Sequence, residues 1–300
     1  MASYGYYPGC SLHSTGAEYD ISFRAVAREL GIELQEVPGW VCCGTSPAHA
    51  SSHLLAVALP IKNLSLAEYA GLTELAVPCA ACFSRFKIAL HETAEKPELM
   101  EKVKEVIGTN FQNKVKILHP LEILNNIDPK VIKSVVKKNL SGMKVVCYYG
   151  CLLTRPPKAM AFSRHTAGSR QPSGDDTEYP MTMDKLLDKC GATVLDWSYK
   201  TDCCGATFAL TETDAVLTLT QKILENAKAV GANAIAVACP LCHANLDTRQ
   251  TEIETKYNTQ YGIPILYFTQ VMGLAFGIEP KKLGMLKHLV PTEPVLTAIG

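Results

Sequence analysis

Excess charge of either sign is missing from this 300-residue sequence: 29 Lys and Arg face 29 Asp and Glu. Without a basic field there is no electrostatic footing for nucleic acid, and without a charged tail no solvating arm. Long hydrophobic runs are missing too. The two longest, Leu54 to Ile61 and Val271 to Ile278, are far short of the roughly 20 apolar residues that a membrane helix needs, so no membrane span is expected. The opening Met1-Ala2-Ser3-Tyr4-Gly5-Tyr6-Tyr7 has no basic stretch followed by an apolar one, so no export is expected and a cytoplasmic location is. The sequence also lacks a Gly-rich dinucleotide fingerprint, a haem-attachment motif and the tightly spaced Cys-x-x-Cys-x-x-Cys-x-x-x-Cys-Pro run of ordinary ferredoxins.

Cysteine is what the chain has in abundance. Twelve cysteines in a chain large enough to need no disulfide staples, and expected in a reducing compartment, point to metal ligation or redox chemistry. They fall in a repeat. Cys10, Cys42-Cys43 and Cys79-Ala80-Ala81-Cys82 return in the second half as Cys151, Cys203-Cys204 and Cys239-Pro240-Leu241-Cys242. The flanks repeat as well: Tyr6-Tyr7-Pro8-Gly9-Cys10 resembles Tyr148-Tyr149-Gly150-Cys151, and both Cys-Cys pairs are followed by glycine, Gly44 and Gly205. Gly71 to Cys82 aligns without a gap to Gly231 to Cys242. Only the interval before Cys203 is longer, and its excess coincides with the polar stretch His165 to Met183, which reads as an inserted surface loop. The repeat divides the chain into domains 1–140 and 141–300, joined through the helical pattern Pro129 to Gly142.

Short β-rich runs alternate with longer helical patterns. The runs Ile32 to Val37, Glu74 to Val77, Lys144 to Tyr148, Thr193 to Trp197, Ala234 to Ala238 and Ile263 to Tyr267 are expected strands; Ala17 to Leu30, Glu212 to Val230 and Leu241 to Lys256 are expected helices. Strand then helix, repeated, predicts an α/β fold of two pseudo-repeated, mostly parallel domains. Each cysteine motif then follows a strand at its carboxyl end, where open α/β sheets gather their sites.

A thiolate-only donor set selects zinc, copper(I) or iron–sulfur clusters over hard cations. Structural zinc and a regular four-iron cluster each take four protein ligands, whereas each half offers five cysteines. Adjacent side chains on extended backbone point apart, which suits two different irons better than one metal atom. A Cys-x-x-Cys at a helix start lies near exposed N–H groups that favour thiolate charge. The spacing therefore favours two polynuclear iron–sulfur sites. Zinc in one or both halves and thiol–disulfide exchange at the Cys-x-x-Cys pairs remain the alternatives.

One cysteine, then Cys-Cys-Gly, then Cys-x-x-Cys, present twice, resembles the cysteine-rich CCG domain. Over its full length the chain is similar to the heterodisulfide reductase B-subunit family, with further support from Arg155-Pro156-Pro157 after Cys151, from Asp196-Trp197-Ser198-Tyr199-Lys200 leading into Cys203, and from Tyr267-Phe268-Thr269-Gln270. The resemblance implies two noncubane [4Fe-4S] clusters. Carried over by position, the metal- and cofactor-binding residues are Cys10, Cys42, Cys43, Cys79 and Cys82 for one and Cys151, Cys203, Cys204, Cys239 and Cys242 for the other. Cys147 and Cys190 are read as buried apolar thiols, Cys190-Gly191 aligning with the helix end Leu30-Gly31. The implied reaction is reduction of the coenzyme M–coenzyme B mixed disulfide to two thiols, the last step of methanogenesis. The implied partners are the family's C subunit with cubane [4Fe-4S] clusters and its flavin-containing A subunit. A CCG-type electron-transfer subunit of a quinone-linked dehydrogenase acting on lactate, glycolate or succinate is the second reading, and a zinc-stabilised scaffold the third.

An anionic disulfide calls for cations. The candidate catalytic residues are His243, Lys200 and Arg155, with His13, Arg85 and Lys158 as further candidates near the motifs. His49 and His53 are expected on one helix face without a third metal ligand, and Trp40 and Trp197 as core residues shielding the clusters.

Overall fold

The computed structural model describes residues 2–160 and 175–299; of the expected insertion His165 to Met183, residues 165–174 lie outside the described residues, and its end is not surface loop, since buried Met183 already belongs to the helix Thr182–Lys189. Two four-stranded sheets, each wholly parallel, form the scaffold. The first holds β1 (Ala2–Tyr6), β2 (Ile32–Glu36), β3 (Glu74–Ala76) and β4 (Lys116–Leu118) in the order β2-β1-β3-β4. The second holds β5 (Lys144–Tyr148), β6 (Thr193–Val194), β7 (Ala234–Val237) and β8 (Ile265–Tyr267) in the order β6-β5-β7-β8. The topology is therefore duplicated along with the cysteine spacing, and so is the register: Tyr6 pairs with Ala76 as Cys147 pairs with Ala236. In each sheet the strand order reverses between the first and third strands, which places a crevice there at the carboxyl ends.

The helical expectations hold for Ala17–Glu29 and Thr213–Ala229, while the third pattern is broken at Arg249 into Pro240–Thr248 and Gln250–Tyr257. The connector is helical only over Pro129–Val135. Thr193 to Trp197 shortens to the two residues of β6. β1 and β4 add to the expected strands; the first is Tyr/Gly-rich with no β-branched residue, and the second is only three residues long.

The halves meet through a reciprocal exchange of equivalent helices. Ala17–Glu29, which follows β1, packs against Phe268–Ala275, which follows β8; Thr182–Lys189 of the second half packs against Pro120–Asn125, which follows β4. Buried Ser22 Oγ and Thr269 Oγ1 are 2.6 Å apart across the first of these contacts. Phe268–Ala275 and Pro120–Asn125 start alike: the amide before each helix donates to the side chain three residues on, Tyr267 N to Gln270 Oε1 at 2.8 Å and His119 N to Glu122 Oε2 at 2.7 Å, so the same local device aims both interface helices. One apolar cluster, including Phe23, Phe83, Val146, Leu266 and Phe268, runs through both sheets.

Candidate metal centres

Six loops at the carboxyl ends of strands bring ten sulfurs into two groups. In the first half the chain leaves β1, turns through Gly9 at φ +67°, and enters the short helix Gly9–Leu12, whose first turn carries Cys10 at the surface. A Cβ on Gly9 would lie 3.1 Å from Cys82 Sγ, so glycine is required here for both the turn and the approach. The Cys42-Cys43 loop is clamped from two sides: Tyr7 donates its hydroxyl proton to Val41 O at 2.8 Å, and Val41 N donates to Asn63 Oδ1 at 2.8 Å. Cys79 caps the helix Ala80–Glu95 and Cys82 lies in its first turn. Cys43 Sγ is 3.1 Å from Cys82 Sγ, and Cys10 Sγ is 3.9 Å from Cys42 Sγ.

The second half repeats each device. Gly150, also at φ +67°, turns the chain toward Cys151, and a Cβ on it would be 2.8 Å from Cys242 Sγ. Tyr148, equivalent to Tyr7, donates to Asp202 O one residue before Cys203, and Cys239 caps the helix Pro240–Thr248. Cys151 Sγ lies 3.8 Å from Cys203 Sγ, so the longer interval does not remove Cys151 from its group. Cys204 Sγ lies 3.7 Å from Cys242 Sγ, and Asn245 Nδ2 donates to Cys204 O at 2.9 Å. The Tyr7 and Tyr148 clamps were missed as functional positions, although the repeated Tyr flank was their signal.

Crowding sets the protonation of these thiols. Hydrogen bonds from Cys42, Cys82 and Thr45 hold Cys43 down at about 3, and the same pairing pushes Cys42 up. The Cys151 thiol, the Gly205 amide and the positive field of Arg155 hold Cys203 down at about 6, while Cys151 is pushed up. Cys79 is lowered by Cys82 and by the amides of the helix start, as Cys204 is lowered by Cys242 and the Ala206 amide. Within each group the lowered thiols depend on hydrogen bonds donated by neighbouring cysteines, whose own protons are thereby held; a bound cationic centre would take over that stabilisation. Soft, converging and thiolate-prone, both donor sets fit iron–sulfur or zinc ligation.

Cys147 and Cys190 stand outside both groups. Cys147 is fully buried within β5 and Cys190 caps the end of Thr182–Lys189, as Leu30 does for its equivalent helix; burial pushes Cys147 up and Cys190 to about 12.

A cavity of about 450 Å³ opens against the first group, lined by Cys10, Cys42, Cys79, Cys82, Leu55 and Leu241 among others. Leu241 belongs to the second Cys-x-x-Cys, so this cavity is walled by both halves. None of the described residues lining it is charged.

The candidate cations scatter. Arg155 lies at the second group, exposed and paired with Glu178 at 2.9 Å. Lys200 is buried and ion-paired with Asp184, with Pro180 O at 3.3 Å; its charge is engaged inside the wall, and its carbonyl accepts from Tyr149 N and Gly150 N at the turn before Cys151. His243 is buried too: Nε2 lies 3.1 Å from Ile265 O and 3.0 Å from His288 Nδ1, and burial holds it down at about 3. His13 is half exposed, edge-on to Trp40; Arg85 is half-buried and Lys158 exposed. His49 and His53 do not share a helix face: Thr45–Ser51 and His53–Tyr69 are separate helices broken by extended Ser52, and His53 pairs with Glu92. Trp197 is core, donating to Cys147 O at 3.0 Å, whereas Trp40 is only half-buried and donates to Glu36.

Among the described residues no helix is long and apolar enough to cross a membrane. The chain is 30% identical to the 8-methylmenaquinol:fumarate reductase membrane anchor subunit of Wolinella succinogenes, covering 96% of each. It is 27% identical to the B subunit of the ferredoxin/F(420)H(2)-dependent CoB-CoM heterodisulfide reductase of Methanosarcina acetivorans, covering 100% of this chain and 97% of that one. Its fold matches a hypothetical protein from Helicobacter pylori at a TM-score of 0.73 and 13% identity, over 97% of this chain but only 52% of the other, so this chain spans about half that protein's length. The cysteine-rich domain family known as CCG matches at residues 4–87 and 145–247, the two segments that carry the sulfur groups, and the chain belongs to that family with the domain present twice.

Proposed function

We propose that this chain is the disulfide-reducing component of a heterodisulfide-reductase-type complex, holding one noncubane four-iron centre in each half. The observation that carries the reading is the pairing of two equivalent five-sulfur groups whose Cys-x-x-Cys loops meet, Leu241 of the second lining the cavity at the first. The first centre would be held by Cys10, Cys42, Cys43, Cys79 and Cys82, and the second by Cys151, Cys203, Cys204, Cys239 and Cys242. Such centres supply single electrons and a soft metal face for sulfur. The chain's own residues hold them: Tyr7 and Tyr148 clamp the Cys-Cys loops, and Leu55, Leu59 and Leu241 give the cavity beside the first an apolar side. The overall reaction, one disulfide with two electrons and two protons giving two thiols, needs an electron-supplying partner. In this reading that partner is the complex's C subunit with cubane clusters, fed by its flavin-bearing A subunit, and the substrate is the coenzyme M–coenzyme B disulfide.

The uncharged lining of the first cavity favours a second reading in one respect. A quinone-type carrier suits such a wall better than an anionic disulfide does, in keeping with the 30% identity to a protein named for menaquinol. Metal and sulfide analysis of anaerobically purified protein is the first test: about eight irons per chain and a brown colour are expected, whereas two zincs and no colour would point to a scaffold. Adding the mixed disulfide to the reduced protein should then oxidise it and give a new paramagnetic signal. A menaquinol analogue that reduces the protein while the disulfide leaves it unchanged would establish the second reading instead.

A further inference from the structure

Lys200 stands three residues before Cys203 and is engaged at both of its ends. Its backbone carbonyl accepts from Tyr149 N at 2.8 Å and from Gly150 N at 3.1 Å, the two amides just before Cys151. Its ammonium is ion-paired with Asp184, and the two side chains are only 1% and 5% exposed. The other carboxylate oxygen of Asp184 accepts from the Tyr149 hydroxyl at 2.8 Å, and that hydroxyl oxygen accepts in turn from Met183 N at 2.6 Å. Amide, phenol, carboxylate, ammonium and carbonyl thus close a ring through Tyr149, Asp184 and Lys200. The ring joins the segment that enters Cys203 to the turn that presents Cys151, and the sulfurs of these two cysteines lie 3.8 Å apart.

The same ammonium grips the described end of the inserted stretch. Pro180 O and Met181 Sδ are each 3.3 Å from Nζ, and the centroid of the Tyr179 ring is 4.8 Å away. Arg155, four residues after Cys151, pairs with Glu178 at 2.9 Å, so residues 178–181 are held at every position by cations that flank the second group. The two grips are unequal. Arg155 and Glu178 are 46% and 70% exposed, and a pair in water contributes little. A buried pair is costly to break, because the charge left behind has no solvent to turn to. The hold therefore falls on Lys200.

The first half cannot build this ring. Counted from the cysteines, Gly39 takes the place of Lys200 and Pro8 that of Tyr149: one has no side chain and the other no amide proton. The intervals differ to match, 52 positions from Cys151 to Cys203 against 32 from Cys10 to Cys42, and the extra chain ends in the residues that Lys200 grips. We propose that Lys200, Asp184 and Tyr149 are positioning residues for the second group, a latch that fixes Cys151 against Cys203 and straps the end of the insertion to both. This gives the departure from the repeat a task. It needs no particular metal, so it stands or falls apart from the iron–sulfur reading.

The test compares the full-length wild type with Tyr149→Phe and with the double variant Asp184→Asn/Lys200→Met, which removes both charges so that neither is left buried alone. Metal-free protein is treated with diamide, which takes up two electrons and two protons as each disulfide forms, and the disulfides are mapped over time by mass spectrometry. In the wild type Cys10–Cys42 and Cys151–Cys203 should both form. In both variants Cys151–Cys203 should form several-fold more slowly, because the effective concentration of one thiol at the other has fallen. Cys10–Cys42 should keep its wild-type rate and serves as the reference for an intact fold. Absence of the Cys151–Cys203 disulfide from the wild type, an unchanged or faster rate in the variants, or equal slowing of both pairs would each overturn the proposal. On protein purified with its metal, release to a chelator should become biphasic in the variants, about half leaving several-fold faster and the rest at the wild-type rate. Acceleration of all of it, or of none, would likewise overturn the latch. A wild type without metal would overturn the iron–sulfur reading and leave the disulfide rates to decide the latch.

Discussion

Gly9 and Gly150 show how much of a site can depend on the absence of a side chain. Both stand at φ +67°, and in both the missing Cβ leaves room for the sulfur of the second cysteine of the Cys-x-x-Cys motif in the same half. Gly71, at φ +73°, has nothing within 4 Å of its would-be Cβ. Alanine at Gly71 therefore meets only the left-handed backbone cost, about 1–2 kcal/mol. Alanine at Gly150 meets that cost and also displaces Cys242 Sγ, 2.8 Å away. Gly150→Ala is expected to be less stable than Gly71→Ala in urea unfolding and to lose bound iron, whereas Gly71→Ala keeps its iron; equal iron in the two would refute the packing argument. At this scale the residue types were legible but not their directions. Lys200 and His243 sit beside cysteine motifs in sequence, yet both side chains turn into the wall, toward Asp184 and toward Ile265 and His288. Sequence spacing carries no information about which side of a loop or helix faces a site that other segments build.

The helices that join the halves depend on their caps. His119 begins Pro120–Asn125 by accepting from Leu121 N at Nδ1, which leaves Nε2–H to donate to Pro78 O at 2.9 Å, just before Cys79. Both nitrogens are committed in the neutral form, and burial holds the ring down at about 3 against an unfolded value of about 6.5. Between those values the unfolded chain binds a proton that the folded chain does not, so stability falls as pH drops below about 6.5, by up to about 1.4 kcal/mol per pH unit. His119→Asn keeps a capping acceptor and removes the titration. Unfolding of the metal-free variant at pH 7 and pH 5 is expected to show a shallower loss than wild type, by up to one proton's worth; identical slopes would mean that His119 does not carry it. The buried His243 and the half-buried His288, held at about 3 and 4, leave the variant with part of the original slope. Element identity was readable where a run was long or rich in β-branched residues, as in Lys144–Tyr148 and Thr213–Ala229. It failed where tertiary contacts decide, in the three-residue β4 and at the break between Pro240–Thr248 and Gln250–Tyr257.

Duplication is the property of the whole molecule from which the rest follows. Cysteine spacing announced it because the sulfur groups repeat residue type and loop position far more tightly than the core does; the sheets repeat strand for strand, while their sequences have drifted so far that Cys147 stands where the first half has Tyr6. What the spacing could not announce is the reciprocal docking of the halves, since that depends on which faces of four helices are apolar and on bonds such as Ser22 with Thr269 across 247 positions. Each sulfur group is nevertheless assembled from loops of a single half. The two centres should therefore load independently although they share a wall. Cys239→Ala removes a buried sulfur of the second group, a ligand in the proposed reading, and leaves the first group's five sulfurs and the Tyr7 clamp untouched. The expected result is about half the wild-type iron and sulfide, with Cys79→Ala giving the reciprocal half and a distinguishable paramagnetic spectrum. Complete loss of iron from either variant, with the fold intact by circular dichroism, would mean that the ten sulfurs form one coupled site, and the division into two centres would have to be abandoned.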